Sequence, residues 1–137
     1  MADNAENRPR WSIAPYFIVD DVMATANYYR DQLGFQCELF GGEPPPFCMV
    51  YRNGVVIMLR RLPATGVMRP NRLADPEADE TWDAYIWVED ADALYGEFKA
   101  KGVKITRAIC DQPYGCRDFD VEDCNGYRLC FGKNLDG

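Results

Sequence analysis

The feature that most constrains this chain is an internal repeat. The segment IAPYFIVDD at residues 13–21 is matched by WDAYIWVED at residues 82–90. Tyr16 corresponds to Tyr85 and Asp21 to Asp90, both at a spacing of 69 residues. A repeat of this length in a chain of 137 residues predicts a fold assembled from two like halves.

Each copy of the repeat continues with the same order of predicted elements. Apolar residues at helical spacing follow in both halves, between an aspartate that can cap the helix and a glycine that can end it. An extended segment comes next, at 35–40 and 103–108. Two strand-like runs joined at Asn-Gly then predict a β-hairpin, at 47–60 and 119–132. Each half therefore predicts one strand, one helix and three further strands.

The length of the chain predicts a single domain over residues 1–137. Module one spans about residues 12–61 and module two about residues 81–133. Residues 62–80 between them contain three prolines and mixed charge, which predicts a connecting loop. The fold class is α+β, with two βαβββ modules.

Alternation along the predicted strands separates a face covered by the helix from an open face. Each module has one helix, so one face of its sheet is covered and should be uniformly apolar. The residues that meet this demand are Phe17, Val19, Ile57, Leu59, Ile86, Val88, Leu129 and Phe131. The open face carries Tyr16, Met58 and Arg60 in the first module, and Asp83, Tyr85, Trp87, Asp120, Glu122, Arg128 and Cys130 in the second.

The register of the last hairpin decides which residues share the open face. A two-residue loop at the Asn-Gly pair would place two acids under the helix. A three-residue loop over residues 124–126 instead pairs Glu122 with Arg128. It also pairs Asp120 with Cys130. Because a slip of one residue reverses every side chain, we expect the three-residue loop, which keeps the acids on the open face.

The open face of the second module is the candidate ligand site. Its rings can stack on a flat ligand or face a cation, and its carboxylates can pair with positive charge. Two alternatives stay open: a solvated sheet face, or a surface buried in a dimer or against a protein partner. The ligand site is favoured because Tyr16, Tyr85 and Trp87 would otherwise form a large exposed apolar patch.

Charge and composition exclude several classes of protein. The net charge of −7 argues against nucleic acid as a partner. The chain has no histidine, which removes the commonest general base and transition-metal ligand. Its six cysteines contain no CxxC pair.

Cys130 could act as a nucleophile, but Asp120 beside it would raise the pKa of the thiol, so we expect an inert cysteine.

The N-terminal ten residues are polar and lack the apolar stretch of a secretory signal. No apolar run approaches the roughly 20 residues that a membrane span needs. We therefore expect a cytoplasmic protein with reduced thiols and no membrane partner.

Three segments carry a resemblance to a known family: FIVDDVMATANYYRDQLGF, YIWVEDADALYGEFKAKGV and YGCRDFDVEDCNGYRLCFG. Over about residues 12–133 the chain resembles the glyoxalase / bleomycin-resistance / extradiol-dioxygenase superfamily, which has the vicinal oxygen chelate fold. The resemblance implies that the two βαβββ modules form a curled mixed sheet around a small-molecule cavity, usually in a homodimer.

In enzymes of that superfamily, four sheet positions hold histidine, glutamate or glutamine ligands for a divalent metal. The resemblance places Ala14, Met58, Asp83 and Cys130 at these positions. Asp83 and Cys130 offer one hard carboxylate and one soft thiol. A catalytic metal site usually has three good protein ligands of similar softness. We therefore expect no metal, no other cofactor and no catalytic residue.

The resemblance then favours the bleomycin-resistance branch of the superfamily. It implies a metal-independent homodimer that binds a cationic or aromatic small molecule and no nucleic acid. The expected ligand-binding residues are Tyr16, Met58, Asp83, Tyr85, Trp87, Asp120, Arg128 and Cys130. The alternative is an enzyme of the glyoxalase or dioxygenase type with an atypical metal site.

Overall fold

A computed structural model describes residues 11–136 of the chain. The first half consists of β1 (Tyr16–Val19), α1 (Val22–Asp31), β2 (Gln36–Phe40), β3 (Phe47–Arg52) and β4 (Val55–Arg61). The second half repeats this order with β5 (Ala84–Trp87), α2 (Ala91–Ala100), β6 (Lys104–Asp111), β7 (Cys116–Glu122) and β8 (Arg128–Asn134). The predicted α+β class and βαβββ order are confirmed. The expectation about a secretory signal concerns residues 1–10, which lie outside the described residues.

Each half forms its own four-stranded mixed sheet. The strand orders are β1-β4-β3-β2 and β5-β8-β7-β6. In both sheets the first strand of the module runs parallel to the last, and the other neighbours are antiparallel. Within the described part of the chain no ladder joins the edge strands β1 and β5. Within a single chain the two sheets therefore remain separate and do not join into one continuous sheet.

Both helices begin and end as the sequence predicts. The Asp21 carboxylate accepts a hydrogen bond from the backbone N–H three residues on, at 2.9 Å, and Asp90 does the same at 3.0 Å. These bonds satisfy N–H groups that lack a partner in the first turn. Gly34 and Gly102 follow the helices with φ of +75° and +76°, a conformation that glycine adopts without strain.

The helices and the covered faces of the two sheets form one apolar cluster. Of the eight residues predicted for these faces, Val88 is partly buried and the other seven are buried. Tyr29 and Leu33 from the first half and Phe98 from α2 are fully buried in the same cluster. The predicted assignment of the covered faces is confirmed.

The two modules are joined at two ends, both on their helix-covered sides. At one end the Tyr29 hydroxyl donates to the Asp123 carboxylate at 2.6 Å, linking α1 to the second hairpin. Burial and then the charge of Asp123 raise the pKa of Tyr29 well above its ordinary value, so the hydroxyl remains a donor. At the other end Arg52 donates to both carboxylate oxygens of Glu97, at 2.8 and 2.9 Å. We call this contact region the module junction.

Residues 62–80, the predicted connecting loop, contain one short 3₁₀ turn, Asn71–Leu73. Arg72 in this turn donates to the carbonyl oxygen of Gly126 at 2.9 Å, which ties the connection to the second hairpin. No helix in the described residues is long and apolar enough to cross a membrane. All six cysteines are free thiols.

Candidate ligand site on the second sheet

The register of the second sheet decides which side chains share its open face. Tyr85 and Asp120 pair with Cys130 from either side. Glu122 pairs with Arg128. The hairpin register expected from the sequence is therefore confirmed, and the acids lie on the face opposite α2.

Two buried aspartates, Asp118 and Asp120, form the centre of this face and share one guanidinium group. Arg107 on β6 donates to Asp120 at 2.9 and 3.1 Å and to Asp118 at 3.0 Å. The side chains of the two acids are 0% and 1% exposed. Burial alone would lower the pKa of Arg107, but its hydrogen bond to Asp120 and the two negative charges raise it. Because buried carboxylates are costly without a partner, Arg107 is what allows both acids to lie here.

Tyr85 reaches Asp118 from two strands away. Its ring crosses β8 at Gly132, and its hydroxyl donates to Asp118 at 2.9 Å. A Cβ atom on residue 132 would lie 2.7 Å from Cζ of Tyr85 and 3.0 Å from Cβ of Asp118. Only glycine leaves room for this crossing. Burial, followed by hydrogen bonds to Cys116 and Asp118, raises the pKa of Tyr85 above its ordinary value, so the hydroxyl stays protonated.

Trp82 and Tyr114 complete the hydrogen bonding of the two acids. The indole N–H of Trp82 donates to Asp120 at 3.0 Å, and the Tyr114 hydroxyl donates to Asp118 at 2.7 Å. Burial and then the Asp118 hydrogen bond raise the pKa of Tyr114 to about 12. Every carboxylate oxygen of the two acids now has a donor. We call this fully satisfied set the carboxylate network; its members are Trp82, Tyr85, Arg107, Tyr114, Asp118 and Asp120.

Aromatic rings lie around the carboxylate network and reach solvent. The Tyr85 ring centroid is 4.8 Å from that of Trp87 and 5.1 Å from that of Trp82. Trp87 is 60% exposed and Tyr114 is 51% exposed. A flat molecule placed on this face would therefore contact rings first, with the buried carboxylates beneath them.

Asp83 has a different environment from the one expected of an open-face residue. It precedes β5, and its carboxylate accepts backbone N–H groups of Asn71 and Arg128, both at 2.8 Å. It therefore anchors the connecting turn to the start of β8. Arg128 in turn donates its guanidinium to Glu122 at 3.0 Å.

Tyr16 and Met58 lie side by side on the first sheet, where the parallel register of β1 and β4 pairs them. Tyr16 is 53% exposed. Within the described chain these two residues share no sheet with Tyr85, Trp87, Asp120 or Cys130. The structure thus brings the predicted site residues together in two groups, one on each sheet.

Three residues of the carboxylate network, Arg107, Asp118 and Trp82, are absent from the site residues predicted from the sequence. A signal existed for Asp118, which lies two residues before Asp120 in β7 and therefore points to the same face of the sheet. Trp82 lies ahead of the strand, where alternation does not apply. Arg107 lies between two irregularities in the pairing of β6 with β7, and no pattern in the sequence indicates which way it points.

The four positions that the family resemblance relates to metal ligands do not form a donor set. Ala14 has no donor atom, and the Asp83 carboxylate already accepts two backbone N–H groups. Burial and then the charge of Asp120 raise the pKa of Cys130, which disfavours the thiolate that a metal would need. No group of three His, Cys, Asp or Glu residues suited to a metal occurs in residues 11–136. These residues do not fit a metal centre.

Comparison with known families agrees with the fold. Residues 12–131 match the model of the Glyoxalase/Bleomycin resistance protein/Dioxygenase superfamily. The chain therefore belongs to this superfamily. A search of the curated proteins gave no match.

Several solved structures share the fold over most of the chain. TioX from Micromonospora sp. ML1 is 20% identical, with a TM-score of 0.65 over 90% of this chain and 96% of its own. A bleomycin-binding protein from Streptomyces verticillus, complexed with copper(II)-bleomycin, is 25% identical, with a TM-score of 0.64 over 90% and 96% of the two chains. A lactoylglutathione lyase from Agrobacterium tumefaciens is 17% identical, with a TM-score of 0.65 over 91% and 94%.

Proposed function

We propose that this protein binds an aromatic, positively charged small molecule on the open face of its second sheet, without a metal. The observation that carries the proposal is a set of exposed rings above a buried, negatively charged carboxylate network. Rings stack on planar ligands and attract cations to their faces. The similarity to a protein complexed with copper(II)-bleomycin supports a ligand of this kind.

The carboxylate network supplies charge without having to rearrange. Two carboxylates and one guanidinium leave a net charge of −1 at the centre of the face, within a chain whose net charge is −7. All the carboxylate oxygens already accept hydrogen bonds, so the acids attract a cation through their field rather than through a new ion pair. A site that is already ordered loses less conformational entropy on binding.

We propose further that a second copy of the chain covers the open faces. The two sheets present exposed rings at Tyr16 and Trp87, 53% and 60% exposed, which a single chain leaves uncovered. A homodimer would place the first-sheet group of predicted residues, Tyr16 and Met58, opposite the second-sheet group of the partner. Light scattering after size exclusion should give twice the mass of one chain. The mass of a single chain at every concentration would contradict the dimer.

Replacing Trp87 with alanine should weaken ligand binding about tenfold, because a desolvated ring contact contributes about 1–2 kcal/mol. The fold of the single chain should be destabilised much less, since the Trp87 ring is mostly exposed within it. A thermal-shift screen with bleomycin and planar cationic aromatic compounds identifies a probe, because binding to the native state raises the melting temperature. Titration calorimetry then compares the variant with the parent.

Trp11→Ala is the matched control, since Trp11 is 93% exposed and lies outside the sheets. It should leave affinity unchanged. An equal loss of folding and binding in Trp87→Ala would assign the ring a structural role. Near-stoichiometric transition metal in protein purified without chelator would overturn metal independence and support the glyoxalase or dioxygenase alternative.

A further inference from the structure

A cavity of about 620 Å³ lies at the module junction, at the end where Arg52 meets Glu97. Its walls come from the first hairpin, the end of β5 and the first turns of α2. Its apolar lining includes Val55, Ile86 and Phe98, which belong to the helix-covered side. The cavity is therefore separate from the carboxylate network. Its volume falls in the range of pockets that hold small molecules.

At the other end of the module junction the corresponding space is filled by a tyrosine. Tyr127 follows the glycine of the second hairpin, as Val55 follows the glycine of the first. The Tyr127 ring stacks on Phe17, with centroids 4.4 Å apart and planes 7° apart. Its hydroxyl donates to the carbonyl oxygen of Ile18 on the edge strand β1. Tyr127 is only 6% exposed, so this end of the junction is closed.

At the cavity, the positions equivalent by the repeat to Tyr127 and Phe17 hold smaller side chains. Val55 stands where the repeat has Tyr127, and Ile86 stands where it has Phe17. Both line the cavity. The cavity therefore lies where the equivalent position of the other module holds a phenol ring.

The cavity also has a counterpart to the acceptor that Tyr127 uses. Trp87 occupies the repeat position of Ile18 and lines the cavity. The Val88 N–H donates to the Gly132 carbonyl oxygen at 2.8 Å, so the backbone of Val88 faces β8. Alternation then turns the Trp87 carbonyl away from β8, toward the free edge of the sheet. A phenol hydroxyl in the cavity would find there the acceptor that Ile18 offers at the other end.

Charge at the cavity favours a cation. Arg52 and Glu97 neutralise each other in their ion pair. Glu89 and Asp90 also line the cavity and add two negative charges. The N-terminal end of α2 offsets only about half a charge. A positively charged group attached to the ring would therefore be attracted, and a carboxylate repelled.

We propose that this cavity binds a phenol that carries an amine, and we choose tyramine as the probe. The site is additional to the proposed site on the open face. The parent protein should bind one tyramine per chain by titration calorimetry. Affinity should fall a few-fold for neutral p-cresol and further for 4-hydroxyphenylacetate, whose charge is negative.

The decisive variant is Val55→Tyr, which places in the first module the side chain that the second module already has. The new ring should fill the cavity and lower tyramine affinity at least tenfold, while circular dichroism and unfolding show an intact fold. Glu89→Lys provides a second test because Glu89 is exposed. It should weaken tyramine about fivefold and leave p-cresol unchanged.

Tyr114→Ala, which alters only the open face, separates this site from the proposed function. It should leave tyramine affinity unchanged, whether or not the open face binds its own ligand. Loss of tyramine binding in Tyr114→Ala but not in Val55→Tyr would place the phenol on the open face and overturn the proposal. Failure of the parent protein to bind tyramine would overturn it as well.

Discussion

Replacing Arg107 with alanine is expected to lower the free energy of unfolding by about 3–5 kcal/mol, because it leaves two buried carboxylates without their cation. Asp118 and Asp120 are almost completely removed from solvent, and Arg107 makes three hydrogen bonds to them. The guanidinium also lies 5.6 Å from the centroid of the Trp82 ring, a contact that would be lost. Urea unfolding followed by tryptophan fluorescence measures the change.

Arg117→Ala is the matched control for this variant. Arg117 also pairs with two aspartates, Asp92 at 2.9 Å and Asp111 at 3.0 Å, but those side chains are 60% and 64% exposed. Exposed ion pairs contribute little, so the control should unfold at nearly the urea concentration of the parent. Adding Asp120→Asn to the Arg107 variant should recover part of the loss, since it removes one uncompensated charge. Equal losses in the Arg107 and Arg117 variants would contradict the central role of Arg107.

Replacing Gly132 with alanine is expected to displace the Tyr85 ring and to abolish binding on the open face. The new methyl group would lie 2.7 Å from Cζ of Tyr85, which is closer than carbon atoms approach without strain. Overpacking of this kind costs about 1–3 kcal/mol of stability. Moving Tyr85 breaks its hydrogen bond to Asp118 and alters its contact with Trp87. Unfolding and calorimetric titration with the probe from the screen measure both effects.

Gly96→Ala is the control for the glycine substitution itself. Gly96 lies in α2, and a Cβ atom there would meet no atom within 4 Å. That variant should gain about 0.5–1 kcal/mol, because alanine favours the helix over glycine. In a Tyr85→Ala background, Gly132→Ala should cost far less than it does in the parent, since the crossing ring is gone. A cost independent of Tyr85 would show that the crossing does not explain the need for glycine.

Most of the fold could be predicted from the sequence because its signals are local. An aspartate caps each helix through a backbone group three residues away. Alternation within a strand assigns Ile57 and Leu59 to the covered face without any knowledge of the neighbouring strand. The register at Glu122 and Arg128 follows from the length of one loop.

The site was harder to predict because it depends on contacts between strands. Arg107 reaches the two acids from β6, whose pairing with β7 shifts on either side of it. Trp82 and Asp83 have roles that simple alternation would exchange, because β5 begins only at Ala84. Trp82 joins the carboxylate network, and Asp83 binds backbone N–H groups. Where a strand begins cannot be read from alternation alone.

The stacking of Tyr127 on Phe17 has a consequence for how a duplicated chain divides its work. In a chain built from two like halves, each space between the halves has an equivalent related by the repeat, and the two spaces need not be filled by the same side chain. Here Tyr127, in the second module, fills the space at one end of the module junction. The equivalent space in the first module keeps the Arg52–Glu97 ion pair but lacks the aromatic contact, so a substitution at Val55 can reshape the cavity while the stacked rings at the other end stay in place.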